Sequence, residues 1–280
     1  MKEKKVSVFF RLRKDPLAVI SGIVFLLIVL ACIFAPLITA YDYTQLDINH
    51  KFLDPSAEHL MGTDQLGRDL FTRMLYGGRI TLRVTLIGTL IALLGIPCGL
   101  LSGYFGKKTD AFMSRSFDAV SVLPPLLLII LAEAVLGYGK GYFQFALGVA
   151  FMPPLFRLTR TLTMKTAGKE FIEAARALGV DTKEIITKHV LRNIAPALIT
   201  QTISTFSDIL LYCTIVGYLE IGFNPPTPEW GQIIRDMFDS IMSHPTLVLT
   251  VTAVVPITLL SLNLFGKGLR DAFAADRRTN

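Results

Sequence analysis

Gln201, Ser204, Thr205, Asp208 and Tyr212 fall at i, i+3, i+4, i+7 and i+11 of an otherwise apolar stretch. That spacing puts all five on one helical face. A carboxylate at mid-membrane costs roughly 2.5–3.5 kcal/mol on insertion scales, so Asp208 must face protein or a watery cavity. Two readings stay open. In one, the stripe lines a translocation pathway and Asp208 meets a substrate amine or cation. In the other, Asp208 pairs with a basic residue of this chain or of a partner. Glu133 poses a similar choice, between a second pathway charge and an interfacial carboxylate.

No residue set has the spacing for covalent chemistry. His50, His59, His189 and His244 are scattered, with no ligand-like pair, and a membrane-embedded enzyme would need convergent groups at one depth. Cys32, Cys98 and Cys213 sit in apolar stretches and read as small buried hydrophobes, without a disulfide framework or metal spacing. The stretch "GYFGKKTD" at 103–110 has glycine and lysine but not the G-x-x-x-x-G-K-[ST] spacing. Any ATP hydrolysis therefore belongs to another chain, and no cofactor is expected in this one.

The elements that hold these residues are apolar helices. The chain is 52% hydrophobic and 18% charged, against about 25% charged in a soluble domain. Six spanning segments can be drawn, at roughly 17–40, 80–104, 117–136, 142–164, 194–219 and 245–265. The basic start "MKEKKVSVFFRLRKDPLAV" resembles a signal peptide, but the apolar run from Leu17 to about Ala40 is too long for one. It reads as an uncleaved first helix. The proline pairs Pro124-Pro125 and Pro153-Pro154 are expected to kink the third and fourth spans rather than break them.

Six spans put both termini on one side. With that side cytoplasmic, only seven of the 28 Lys and Arg lie outside: Lys51, Arg68, Arg73, Arg79, Arg83, Lys140 and Arg235. The net charge of +6 thus reflects topology, not nucleic-acid binding. The cluster Arg68 to Arg83 runs against the rule, and snorkelling or neutralisation by Asp64 and Asp69 would absorb it. The expected organisation is all-α and polytopic: a cytoplasmic segment 1–16, a six-helix membrane domain 17–265 and a cytoplasmic tail 266–280. Within the domain, 41–79 and 220–244 are external and 165–193 is a cytoplasmic loop.

The external segments carry local signals. Thr63 or Asp64 caps a helix with Leu66, Leu70 and Met74 on one side, broken by Gly77-Gly78 and lying flat at the outer interface. Trp230, the only tryptophan, reads either as an interfacial anchor or as a gating or partner contact.

The cytoplasmic loop encodes helix, glycine corner, helix. Phe171, Ala174, Ala175 and Leu178 take i, i+3, i+4, i+7, and Lys169, Glu173 and Arg176 take other faces. Gly179 ends the helix in the left-handed conformation. Asp181 then caps a second helix, with Glu184 reaching back, and that helix leads into the fifth span. A face half made of alanine partitions weakly into headgroups. A solvated loop helix would leave the face without a purpose, whereas small residues permit close docking to a cytoplasmic partner.

The stretch "EAARALG", Glu173 to Gly179, followed by "HVLRN", resembles the E-A-A-x-x-x-G loop of bacterial ABC importer permeases. Leu191 falls at the tail's leucine, while His189 and Arg192 stand where the family has isoleucine and proline. "GTDQLGRDLFTRMLYGGRITL", "PPTPEWGQII" and "GLRDAF" are similar, in order, to segments of the peptide/nickel branch. The resemblance implies the second ("C-type") permease of a dipeptide, oligopeptide or nickel importer in a bacterial cytoplasmic membrane. It implies that Phe171, Glu173, Ala174, Ala175, Leu178 and Gly179 form a coupling helix seated in an ATPase groove. It also implies a second homologous permease, two ATPase subunits carrying ATP and Mg, an extracytoplasmic substrate-binding protein, and surrounding lipid. Such a chain does no covalent chemistry itself. The rival class, an autonomous ion-coupled carrier or channel, would not need the alanine helix and more often shows an inverted repeat.

Overall fold

The computed structural model describes residues 8–137 and 142–278. The first seven residues and Lys140, which enter the charge argument, lie outside the described residues. The chain opens with α1 (Val8–Leu12) and α2 (Pro16–Ile33). Asp15 starts α2 by accepting from the backbone N–H groups of Leu17 and Ala18, and Pro16 takes the first turn, where its missing N–H costs nothing. After the short α3 (Ala35–Ile38) the chain crosses a ledge, the segment expected to be external, to α4 (Leu70–Ala92) and α5 (Gly95–Phe105), which together form a 36-residue apolar rod.

There follow α6 (Lys107–Ser121), α7 (Pro125–Leu136), α8 (Phe143–Ala150), α9 (Met152–Ala167) and α10 (Glu170–Ala177). Beyond these, α11 (Thr182–Glu184) and a π-helical turn, Ile185–Val190, run into α12 (Leu191–Tyr218), and α13 (Trp230–Phe238) and α14 (Pro245–Arg278) complete the fold.

Among the described residues, four helical stretches are long and apolar enough to cross a membrane, and α6 with α7 makes a fifth if that bent pair is one span. The segment expected as the fourth span folds as α8 and α9, joined at Phe151, and is not among the stretches long and apolar enough to cross a membrane. The kink expected at Pro124-Pro125 is instead a break of 83°. Pro124 holds extended backbone (φ −53°, ψ 139°) and Pro125 opens the next helix, so the turn falls between them. Pro153 and Pro154 lie in the first turn of α9, where proline is tolerated. The last helix does not stop near 265 but continues into the expected tail as far as Arg278.

The flat external helix expected at Thr63–Tyr76 is not formed. Residues 63–69 are loop, and Asp69, not Thr63 or Asp64, caps α4 by accepting from Thr72 N–H at 2.7 Å. Asp64 is drawn away to the Arg68 Nε and Arg73 Nη1, both at 2.6 Å. Gly77-Gly78 does not break the helix, because its missing side chains make room for packing. A Cβ on Gly78 would stand 2.8 Å from the Trp230 ring. Trp230 itself is fully buried, neither an interfacial anchor nor open to a partner. Its Nε1 donates to the Met74 carbonyl at 2.8 Å, pinning α13 to α4.

Three apolar clusters stack along the bundle. The outer one centres on Trp230, with Leu70, Met74, Ile233, Met237 and Leu247. A middle one holds Val84, Ile129, Phe143, Leu147, Leu155 and Ile209. The inner one joins Leu100, Ile172, Ile185, Val190, Ile194 and Leu198. Between the middle and inner clusters, α5 lies against α9 through Gly95, Gly99 and Gly103, spaced i, i+4, i+8. A Cβ on Gly99 would come within 2.7 Å of the Phe156 carbonyl and 3.0 Å of the Arg160 nitrogen, so the two backbones touch. Asp110 clamps the inner end of this pair, accepting from Arg160 Nη2 and Ser102 Oγ, both at 2.5 Å.

Candidate functional site

The loop expected to be cytoplasmic folds as a short, well-terminated helix. Glu170 and Glu173 lie in the first turn of α10 and Arg176 in the last, each favourable to the helix dipole. At its end Gly179 takes φ +78°. The Gly179 N–H donates to the Arg176 carbonyl at 3.0 Å, and the Val180 N–H to the Ala175 carbonyl at 3.1 Å. This paired closure needs a left-handed residue, and glycine adopts it without strain. Asp181 starts the next helix by accepting from Lys183 N–H at 2.9 Å, as its position suggests. Glu184 does not reach back to it; it pairs with Lys188 at 2.8 Å.

The apolar face of α10 is divided. Ile172 and Ala175 are buried in the inner cluster, whereas Phe171 is 42% and Leu178 83% exposed, with Ala174 and Glu173 also open. At about 100° per residue, Ala174, Leu178, Phe171, Ala175 and Ile172 sweep roughly 160° of the helix, more than one surface can cover. The chain's own body takes one edge and leaves the other. Ala175, expected on the docking side, is thus part of the attachment. Ile172 was missed, and its signal was the i, i+3 pairing with Ala175. Arg176 steadies the helix from the side, its guanidinium 5.0 Å from the Tyr104 ring centre.

Gln201, Ser204, Thr205, Asp208 and Tyr212 all lie on α12, and the structure divides them too. Thr205 is buried, Gln201, Ser204 and Tyr212 are half-buried, and Asp208 is exposed on the flank of the bundle. Tyr212 packs edge-on against Phe151, with ring centres 5.1 Å apart. Among the described residues no cation pairs with Asp208. At the inner end of the stripe a cavity of about 480 Å³ opens between α9, α12 and α14, lined by Leu158, Pro196, Thr200, Gln201, Arg270 and Phe273. Arg270 comes from "GLRDAF", so that segment meets the stripe at its inner mouth. Glu133, at the expected outer end of α7, is buried.

The segment before α13, expected to be external, holds a third arrangement that spacing did not reveal. Glu229, just before α13, is fully buried. The Cys213 thiol donates to its Oε1 at 3.3 Å, and Gly217 and Gly222 wall the carboxyl so closely that a Cβ on Gly217 would stand 2.8 Å away. Burial pushes the Glu229 carboxyl up to about 7, and its hydrogen bonds to the Cys213 thiol and the Phe223 backbone offset only part of this.

The family profile "binding-protein-dependent transport system inner membrane component" matches residues 95–279, and "N-terminal TM domain of oligopeptide transport permease C" matches residues 6–55. A dipeptide transport system permease protein of Alkalihalophilus pseudofirmus is 36% identical over 94% of this chain and 87% of its own length. A di/tripeptide transport system permease protein of Pseudomonas aeruginosa is 33% identical over 90% and 86%. An oligopeptide transport system permease protein of Bacillus subtilis is 30% identical over 94% and 86%. Among solved structures, a chain of the inward-facing methionine ABC transporter MetNI shares the fold, with a TM-score of 0.58 at 21% identity over 72% of this chain and 95% of that one.

Proposed function

The chain belongs to the inner-membrane component family of binding-protein-dependent transport systems, and from that premise we propose that it forms half of a peptide translocation pathway. It is a multi-pass inner-membrane permease subunit of an ABC importer and is not itself catalytic. The peptide cargo is inferred from the printed names of relatives at 30–36% identity. On this reading it pairs with a second, related permease, docks two ATPase subunits and receives substrate from an extracytoplasmic binding protein.

The observation that carries the reading is α10. Ile172 and Ala175 fasten it to the body while Phe171, Ala174 and Leu178 stay open on the other edge. A helix held this way can seat in a groove and still transmit force to the bundle. ATP-driven closure of the ATPases would move α10, and the spans would rock between outward and inward access. Asp208, exposed and without an ion pair among the described residues, would meet the peptide amine part-way along α12. Gln201 and Arg270 would border the inner exit.

Two variants test this in the assembled transporter. Glu173→Lys places a cation in the first turn of α10, and should abolish ATPase co-purification or binding-protein-stimulated ATP hydrolysis. An intact, fully coupled complex would refute the docking role. Asp208→Asn should change peptide uptake while stimulated hydrolysis persists. Unchanged uptake of every peptide tried would remove Asp208 from the pathway.

A further inference from the structure

Arg68, Arg73, Arg79 and Arg83 crowd the expected outer side, against the usual charge distribution. Arg68 and Arg73 are accounted for by Asp64 and Asp236. Arg79 and Arg83 are not. Both are exposed on α4, and neither forms an ion pair among the described residues. Arg79 has only the Tyr76 ring, 5.9 Å from its guanidinium. At i and i+4 they stand on one face, about 6 Å apart along the helix.

Both arginines border a groove of about 470 Å³ between α2, α4 and α12, otherwise floored by Phe25, Val29, Leu82, Leu86 and Phe206. Because α4 enters from the outer ledge, side chains on it lean back toward its N-terminus, and so toward the outer headgroup layer. Phe206 and Asp208 are two residues apart on α12, about 200° around it, so the groove lies on the side away from the polar stripe. A substrate passing along the stripe would not reach it.

We propose that this groove is a binding site for an anionic phospholipid of the outer leaflet, its phosphate held between Arg79 and Arg83 and one acyl chain lying along the apolar floor. The charge fits: two guanidinium groups above an aliphatic and aromatic trough match a phosphodiester above a hydrocarbon chain. A second protein chain would have to bring two carboxylates to the same depth, which lipid supplies at that level without them.

The test uses the assembled transporter in nanodiscs of phosphatidylglycerol mixed with phosphatidylcholine. Retained lipid is counted by native mass spectrometry after extraction. The wild type should retain phosphatidylglycerol over phosphatidylcholine. At about fivefold per basic residue near an anionic headgroup, Arg79→Gln/Arg83→Gln should lower that preference roughly 30-fold. Arg79→Lys/Arg83→Lys should keep most of it. Equal retention of both lipids by the wild type overturns the site even if the Gln pair fails to assemble, and so does undiminished preference in an assembled Gln pair. A photo-crosslinker at position 86 gives an independent reading. Adducts with phosphatidylglycerol support the proposal, and adducts with the second permease show that protein covers the groove. None of these readouts requires transport, so a wrong peptide assignment would leave them unchanged.

Discussion

Replacing Glu229 with glutamine should change how the transporter's stability depends on pH, in a direction the geometry dictates. The carboxyl is fully buried outside the spans, and its folded value of about 7 lies above the ordinary 4.5. Below 4.5 the group is protonated both folded and unfolded, and burial is cheap. Between 4.5 and about 7 the unfolded chain gives up the proton while the folded chain keeps it, so stability is lost as pH rises. Above about 7 the loss is complete and constant. At about 1.4 kcal/mol per pH unit across that window the loss is about 3 kcal/mol. A neutral amide at this position would carry no such charge. Thermal unfolding of the purified complex from pH 5 to 8.5 should show the wild type falling relative to Glu229→Gln, with most of the change below pH 7. Any constant offset from the substitution does not matter, because the slope is the readout. Parallel pH profiles would refute the buried, proton-holding carboxyl.

Three further outcomes follow from the packing. Arg73→Ala removes one of the two guanidinium groups on the fully buried Asp64 and should cost roughly 1–3 kcal/mol, seen as a lower melting temperature that Asp64→Asn partly restores. Gly99→Val drives side-chain atoms into the backbone of α9 and should reduce ATP hydrolysis coupled to uptake while the ATPases still co-purify; unchanged coupling would count against a rigid α5–α9 contact. Gly179→Pro removes the N–H that closes α10 and cannot adopt φ +78°, so ATPase co-purification should fall sharply.

The helix stop and start around Gly179 were legible because their signals are local. Gly179 and Asp181 mark a stop and a start within three residues, and both act that way. The polar spacing along the fifth span likewise depends only on helical geometry. What sequence did not reveal depends on distant partners. Asp236 reaches Arg73 from 163 positions away, so the ledge arginines could not be matched to it. Gly77-Gly78 reads as a break until Trp230, far along the chain, fills the space beside it. Ile172 escaped notice for a subtler reason. Alanine spacing marked one apolar arc, and only the fold decides which edge of that arc the body claims.

The glycine seam between α5 and α9 bears on how fast the importer can work. Helices joined by interleaved long side chains have many near-equivalent packings and lose energy to rotamer changes when pushed. Helices in backbone contact have almost none, so they turn together or not at all. Since α9 leads within two residues into α10, a displacement of α10 reaches α5, and through it the rod that extends to the ledge at the other end, with little lag or slack. The stroke delivered outside should therefore scale with the angle turned inside, and a softer seam would show first as wasted ATP rather than as weaker binding.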